Sequence, residues 1–267
     1  MCDKMKKYLI FTVASLLLMP SCLTKKEKPG ELTRTSGEVK LVTLDPGHFH
    51  AALVQKNSYK QVADEVYVYA PEGDDVQEHL NKINGYNTRT DSPTKWKEVV
   101  YLGSDFLEKM LSEKKGNVMI TAGNNGKKTE YIKQTLMAGI HVLADKPMAI
   151  NSENFGLLKE CFDIARGKGI LLYDIMTERH EITTVLQREL SCIPAVYGEQ
   201  LKGTPEEPAI VKESVHHFFK VVSGTPLKRP AWFFDVNQQG EGIVDVTTHL
   251  VDLVQWEAFP DQVIDYK

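Results

Sequence analysis

The chain has 267 residues, of which 42% are hydrophobic and 25% charged, and its formal net charge is −4. This is the composition of a folded globular protein, and it excludes disordered, collagen-like and coiled-coil classes. Nucleic-acid binding is also disfavoured, because phosphate recognition needs a basic surface. Four cysteines are too few for a disulfide scaffold.

The amino terminus predicts an export signal. Lysines at positions 4, 6 and 7 precede an almost wholly apolar run from Leu9 to Met19. This run is shorter than the ~20 residues that a membrane-spanning helix needs, and it fits a signal-peptide core. Ser21 directly before Cys22 is typical of a bacterial lipoprotein cleavage site. We therefore expect residues 1–21 to be a signal peptide and Cys22 to carry lipid, with a plain secretory signal or an uncleaved anchor as alternatives.

Residues 22–38 are polar, contain Pro29 and Gly30, and show no apolar period. Such a segment predicts a tether between the membrane and the folded part. We expect the protein to be exported to the periplasm or the cell surface and to contact the membrane only through its lipid anchor.

Between residues 39 and 176, apolar runs alternate with amphipathic stretches. The runs do not alternate with polar residues, as expected of parallel strands buried on both faces. They predict strands at Val39–Leu44, Glu65–Ala70, Val99–Leu102, Val118–Ala122, Ile140–Ala144 and Ile170–Tyr173. The stretches between them predict helices that include Val76–Ile83, Asp105–Lys114, Lys128–Ala138 and Glu153–Arg166. The alternation indicates a doubly wound, Rossmann-like α/β domain, whose ligands bind beyond the carboxyl ends of its strands.

Residues 177–267 predict a second, α+β domain that would hold the substrate. We expect strands at Val196–Lys202 and Val215–Val222 and a helix at Val246–Trp256. Because this sheet is small for a domain, we expect the sequence to be truncated at its carboxyl terminus and the domain to be incomplete.

The turn after the first predicted strand is the first candidate site. A dinucleotide fold needs glycines here, because the backbone approaches the pyrophosphate at a helix amino terminus. In Asp45-Pro46-Gly47-His48-Phe49-His50 only one glycine is present. We assign Gly47 and His48 to cofactor binding and expect no metal centre. The H-x-H spacing of His48 and His50 leaves metal ligation open, as it does helix capping and packing.

Asp145-Lys146-Pro147 follows the fifth predicted strand. A residue before proline is disfavoured in a helix, so Lys146 is held extended at the mouth of the sheet. A lysine there can donate to a substrate oxygen and exchange a proton. The same tripeptide also occurs as an ordinary surface turn.

Asp245, His249 and Asp252 are spaced four and then three residues apart. On one helix this spacing places them on one face. A carboxylate beside an imidazole orients it and raises its basicity, which suits proton transfer. The alternative is an aspartate cap followed by a core histidine.

Two patterns occur in order along the chain: A-G-x-H-V-L-x-[DE]-K-P at residues 138–147 and G-x-G-x-x-D-x-x-x-H-x-x-D at residues 240–252. Together with the preceding strand-turn-helix half, they resemble the glucose–fructose oxidoreductase, inositol dehydrogenase and rhizopine-catabolism (Gfo/Idh/MocA) family over residues 39–267.

The resemblance implies an oxidoreductase that uses NAD or NADP to oxidise a sugar or polyol by hydride transfer. Lys146, Asp245 and His249 would surround the reacting carbon, with Asp245 orienting His249 and either His249 or Lys146 exchanging the hydroxyl proton. By the same resemblance, Asn125, Asp145 and Lys146 would contact the cofactor. The glycine-poor first turn departs from the family pattern, and Lys128 stands where the family usually has a histidine.

Other functions stay open at this point. Free nicotinamide cofactor is not supplied outside the cytoplasm, so an exported member must retain its cofactor or do without it. The alternatives are an NAD-dependent glycosidase with an internal redox cycle, a cofactor-free sugar- or nucleotide-binding lipoprotein, and a metal hydrolase using His48 and His50. The expected partners are a small sugar and, in a homo-oligomer, a second copy of the chain; nucleic acid is not an expected partner.

Overall fold

The computed structural model describes residues 35–215, 217, 219–260 and 262–264. The predicted signal peptide, Cys22 and most of the predicted tether lie outside the described residues. Within them, every helix is too short or too polar to cross a bilayer.

Six parallel strands form one sheet in the order β3-β2-β1-β4-β5-β6. Their bounds are β1 Leu41–Leu44, β2 Glu65–Ala70, β3 Lys97–Leu102, β4 Val118–Thr121, β5 His141–Ala144 and β6 Leu172–Asp174. The strand order reverses between β1 and β4, which lie side by side with Thr43 opposite Ile120. The predicted doubly wound sheet is confirmed, and its crevice opens at the carboxyl ends of these two strands.

Helices connect the strands of this sheet. Polar caps begin two of them, because the side chains of Asn124 and Asn151 accept hydrogen bonds from the backbone N–H groups of Gly126 and Asn154. Gly169 ends the last one in the left-handed region, at φ 66°. The helices are α1 His50–Leu53, α2 Asp74–Thr88, α3 Phe106–Glu113, α4 Asn125–Met137 and α5 Ser152–Lys168.

The core lies on both faces of the sheet. One cluster includes Leu44 and Met119 of the strands, packed with Ile132 of α4, and all three are buried. Another, which includes Val66 and Ile83, packs α1 and α2 with the strands. Each such side chain contributes roughly 1.5–3 kcal/mol when it is removed from water. The sheet is therefore a rigid platform for the loops at its carboxyl edge.

Helical turns dominate the region after residue 176. Its α-helices and strands are α6 Ile182–Ser191, α7 Pro194–Tyr197, β7 Val221–Val222, β8 Thr225–Pro226, α8 Val236–Gln239, α9 Gly242–Asp245 and α10 Thr247–Ala258. Short 3₁₀ helices lie at Glu178–His180 and Ala231–Phe234. The predicted final helix is confirmed as α10, but Val246 separates it from the short α9 that carries Asp245.

Of the two strands predicted in this region, the first is wrong and the second is wrong in extent. The run 196–202 is not a strand, because Pro194 begins a helical turn and Gly198 ends it at φ 80°. Of the described residues in 215–222, only Val221 and Val222 pair, in an antiparallel two-residue ladder with β8. Val215 is 74% exposed. An apolar run forms a sheet strand only where a neighbouring strand is present to pair with it.

Candidate functional site

Lys146 follows β5 and reaches across the crevice to α9. Its Nζ donates to Asp245 Oδ1 at 2.7 Å and to the Asp245 carbonyl at 2.9 Å. The two side chains are only 9% and 8% exposed. Burial raises the pKa of Asp245, but the nearby ammonium outweighs it, so this pKa lies below its usual value. The lysine and the aspartate that the sequence singled out therefore form a buried ion pair.

The carboxylate beside His249 is that of Glu178, whereas Asp245 is bonded to Lys146. His249 Nδ1 lies 2.9 Å from Glu178 Oε2. Burial raises the pKa of Glu178, but its contacts with His249 hold the pKa below its usual value. The structure thus pairs the imidazole with a residue that sequence analysis missed. No local pattern marks Glu178, since its partner is a distant part of the chain.

A second ion pair, between Arg179 and Asp252, lies next to the contact of His249 with Glu178. Arg179 donates to both carboxylate oxygens of Asp252. Two consecutive residues, Glu178 and Arg179, therefore face His249 and Asp252 on successive turns of α10. The bidentate contact fixes α10 against the turn Glu178–His180 and so holds His249 beside Glu178.

The imidazole rings of His48 and His50 both contact the carboxylate of Asp145. His50 Nδ1 hydrogen-bonds to Asp145 Oδ1 at 2.9 Å, and His48 Nδ1 lies 3.0 Å from Oδ2. The backbone N–H of Lys146 also donates to Oδ1. Burial alone would raise the pKa of Asp145, but the imidazoles hold it well below its usual range. Burial lowers the pKa of His48 to about 4. At neutral pH the site therefore holds an ionised carboxylate beside a neutral His48.

Lys128 is fully buried beneath this site. Its Nζ donates to Asn125 Oδ1, to the Asp145 carbonyl at 3.1 Å and to the Pro147 carbonyl at 3.2 Å. Burial lowers its pKa to about 8. Asn125 Nδ2 donates in turn to the Gln239 carbonyl. Asn125, predicted to contact the cofactor, thus has both ends of its amide bonded to protein, where it ties α4 to α8.

A cleft of about 480 Å³ lies over the first turn. Its walls are residues 45–49, the end of β2, the first turns of α2 and segment 227–233. A Cβ on Gly47 would lie 2.9 Å from Trp232 Cζ2 and 3.0 Å from Asp75 Oδ2, and the indole Nε1 donates to that same oxygen at 2.7 Å. Only glycine therefore fits below the Trp232 side chain.

The cleft suits a nucleotide in size. Its volume falls within the range of small-molecule sites, about 300–1,000 Å³. Glu72 follows β2, where a carboxylate bonds the ribose hydroxyls in dinucleotide-binding sheets. The cations of the cleft, which can offset phosphate charge, are Lys82, Lys228 and Arg229. The residues present therefore fit a dinucleotide cofactor, with the first turn covered by Trp232.

Comparison with family models agrees with this architecture. Residues 47–173 match the model of the oxidoreductase family with an NAD-binding Rossmann fold, GFO_IDH_MocA. Residues 186–267 match the model of a C-terminal domain of candidate oxidoreductases. No match is found among curated proteins.

Solved structures show the same fold. A candidate oxidoreductase from Parabacteroides merdae is 76% identical, with a TM-score of 0.84 over 88% of this chain and 54% of that one. The present chain therefore spans about half of that protein's length. The WlbA dehydrogenase from Bordetella pertussis, in complex with NADH and UDP-GlcNAcA, is 15% identical with a TM-score of 0.51, over 84% of this chain and 60% of that one. Biliverdin reductase from Synechocystis, in complex with biliverdin and NADP+, is 12% identical with a TM-score of 0.56, over 85% and 60%.

The last two likenesses concern the fold alone. The parallel sheet and the two successive domain matches, together with the close P. merdae structure, show that the chain belongs to the Gfo/Idh/MocA family of oxidoreductases with an NAD-binding Rossmann fold.

Proposed function

We propose that the protein is an NAD(P)-dependent oxidoreductase that oxidises a hydroxyl carbon of a sugar or sugar-like polyol. The observation that carries this proposal is the ion pair between Lys146 and Asp245, buried in the crevice beyond the carboxyl end of β5. The pair joins the nucleotide-binding sheet to the region that bears His249. Membership of an NAD-binding family supports the cofactor.

Lys146 is suited to hold the substrate oxygen. An ammonium has three N–H donors, and Asp245 accepts from two of them through its carboxylate and its carbonyl. One donor remains for a substrate hydroxyl. Asp245 also holds the ammonium in position, so it is a positioning residue.

His249 is suited to take the proton. Oxidation of an alcohol removes a hydride from carbon and a proton from oxygen, and a bound nicotinamide supplies the two-electron acceptor. Because His249 Nδ1 lies against Glu178, Nε2 is the ring nitrogen left to accept the hydroxyl proton. Glu178 then stabilises the imidazolium that forms, as a carboxylate beside a catalytic histidine does.

The charges of the cleft favour NAD over NADP. Its carboxylates outnumber its cations, with Asp45, Glu72, Asp74, Asp75 and Glu78 against Lys82, Lys228 and Arg229. A second phosphate on the ribose would add negative charge beside the acids that follow β2. We therefore expect NAD to bind more tightly.

A cofactor-free binding protein is the second candidate, and one observation favours it. The Trp232 indole lies directly over Gly47, at the turn where a dinucleotide's phosphates approach the backbone. The sequence-based prediction of export and lipidation at Cys22 supports the same candidate, because free cofactor is scarce outside the cytoplasm.

Thermal unfolding with and without ligands separates the two candidates. A ligand at 100 times its Kd adds about 2.7 kcal/mol of stability, which raises the melting temperature by several degrees. We expect NAD to raise it, and NADP to raise it less. A shift with sugars alone, and none with either nucleotide, would favour the binding protein.

Replacement of His249 tests the mechanism. His249→Ala is expected to lower turnover by about 10²–10⁴-fold, the usual contribution of a general base, and to leave the NAD-induced shift unchanged. His180→Ala is the matched control, because His180 is exposed in the turn next to Glu178. Turnover at the wild-type rate in His249→Ala would remove this residue from the site.

A further inference from the structure

We propose that His48, His50 and Asp145 form a binding site for a divalent transition-metal ion. One ligand atom from each of these residues lies within 4.8 Å of the others. The H-x-H spacing alone offered two ligands, and the fold adds the third from the end of β5. The site lies at the carboxyl edge of the sheet, where β5 ends near the β1–α1 turn.

The contact between His48 and Asp145 is poorly oriented for a hydrogen bond. His48 Nδ1 is buried and lies 3.0 Å from Oδ2, yet no acceptor meets it with hydrogen-bonding geometry. A buried polar atom without a well-oriented hydrogen-bond partner is unfavourable, because it has lost its contacts with water. An ion held jointly by the carboxylate and the imidazole would use the nitrogen lone pair and remove that cost.

The donor set selects the class of ion. Two imidazoles and one carboxylate suit Zn²⁺, Fe²⁺ or Mn²⁺, whereas Mg²⁺ and Ca²⁺ prefer oxygen ligands alone. Three protein ligands leave at least one position for water or a substrate oxygen.

The surrounding charges permit a dication. Lys146 is already paired with Asp245, and Lys128 is bonded to three neutral oxygens. An added ion would therefore meet the carboxylate of Asp145, while both nearby ammonium groups already have partners.

The position of the site suggests the chemistry of its ligand. An ion at His48 and His50 would lie close to Lys146, which follows Asp145 directly in the chain. A ligand with two adjacent oxygens, such as a vicinal diol or an α-hydroxy ketone, could bind the ion with one and Lys146 with the other. This inference does not depend on hydride transfer or on a bound nicotinamide.

Calorimetric titration of the chelator-treated protein with ZnCl₂ and MnCl₂ tests the site. We expect one saturable ion per chain and no binding of MgCl₂ in the same range. Affinity should fall by at least about tenfold in His50→Ala and in Asp145→Asn, and stay unchanged in His180→Ala. Circular dichroism shows whether each variant is folded.

Cobalt substitution provides a readout that needs no variant. Co²⁺ bound to imidazole and carboxylate ligands gives visible absorption bands, which one equivalent of Zn²⁺ should abolish. The absence of saturable binding by any of these ions, or equal affinity in folded His50→Ala, would overturn the proposal. NAD-induced stabilisation of the metal-free protein is measured separately, so the oxidoreductase proposal can fail or stand by itself.

Discussion

The buried pair of Lys146 and Asp245 allows a quantitative prediction about stability. Asp245→Asn keeps the shape of the side chain and the backbone carbonyl, but it leaves the ammonium without its counter-charge. Both side chains are less than 10% exposed, so water screens their interaction little. Breaking a buried pair in this way typically costs 3–5 kcal/mol. Because the carbonyl still accepts from Nζ, we expect a loss near the lower end, about 3 kcal/mol.

Urea denaturation followed by tryptophan fluorescence measures this loss, since Trp232 lies in the same region as Asp245. Lys146→Met and the double variant complete a double-mutant cycle. Removing both charges should restore most of the stability, because no unpaired charge remains in the crevice.

The matched control is an ion pair on the surface. Arg166 and Asp163 lie 3.0 Å apart with both side chains more than 70% exposed. Asp163→Asn should leave stability unchanged within error. A loss below about 1 kcal/mol in Asp245→Asn, or additive effects of the two single changes, would refute the buried pair and with it the proposed crevice.

Two further predictions concern the sheet that carries the site. Burial raises the pKa of Glu98 from 4.5 to about 7, so its contribution to stability is fully present below pH 4.5 and is lost as the pH rises through 7. Glu98→Gln keeps the hydrogen bond from Gln55. It should leave the urea midpoint unchanged at pH 4 and raise the free energy of unfolding at pH 8 by up to about 3 kcal/mol. An equal gain at both pH values would contradict this. A Cβ at Gly123 would lie 2.3 Å from the Asp45 carbonyl oxygen, so Gly123→Ala should lower the thermal midpoint by the equivalent of roughly 1–3 kcal/mol. Gly85→Ala, in open space on α2, should be neutral or stabilising, and equal effects of the two changes would be evidence against the close approach.

Much of the fold could be predicted from local patterns. Runs such as Glu65–Ala70 are apolar without alternation, which requires cover on both faces, and the structure places that run as β2 with the same bounds. The strands predicted after residue 176 failed because an apolar run reports only a tendency to be buried. At Pro194 and Gly198, the backbone preferences of proline and glycine favoured a helical turn instead.

Some residues of the candidate site could likewise be predicted from local patterns, and others could not. Lys146 and Asp245 were found because each stands in a short pattern, and the structure joins them. Glu178 was missed, since it has no pattern of its own and meets His249 only after the chain has folded. The position of Trp232 over Gly47 was hidden for the same reason.

Residue order therefore specifies which segments become strands and helices, because backbone preference and apolar periodicity act over a few neighbouring residues. The partners of Asp145 could not be predicted in this way, because His48 and His50 are almost a hundred residues away from it in the sequence. Contacts of that kind depend on how the crossovers stack the strands, and on which turns the sheet brings to one edge. Packing of the whole chain, rather than any local preference, assembled the two imidazoles around one carboxylate.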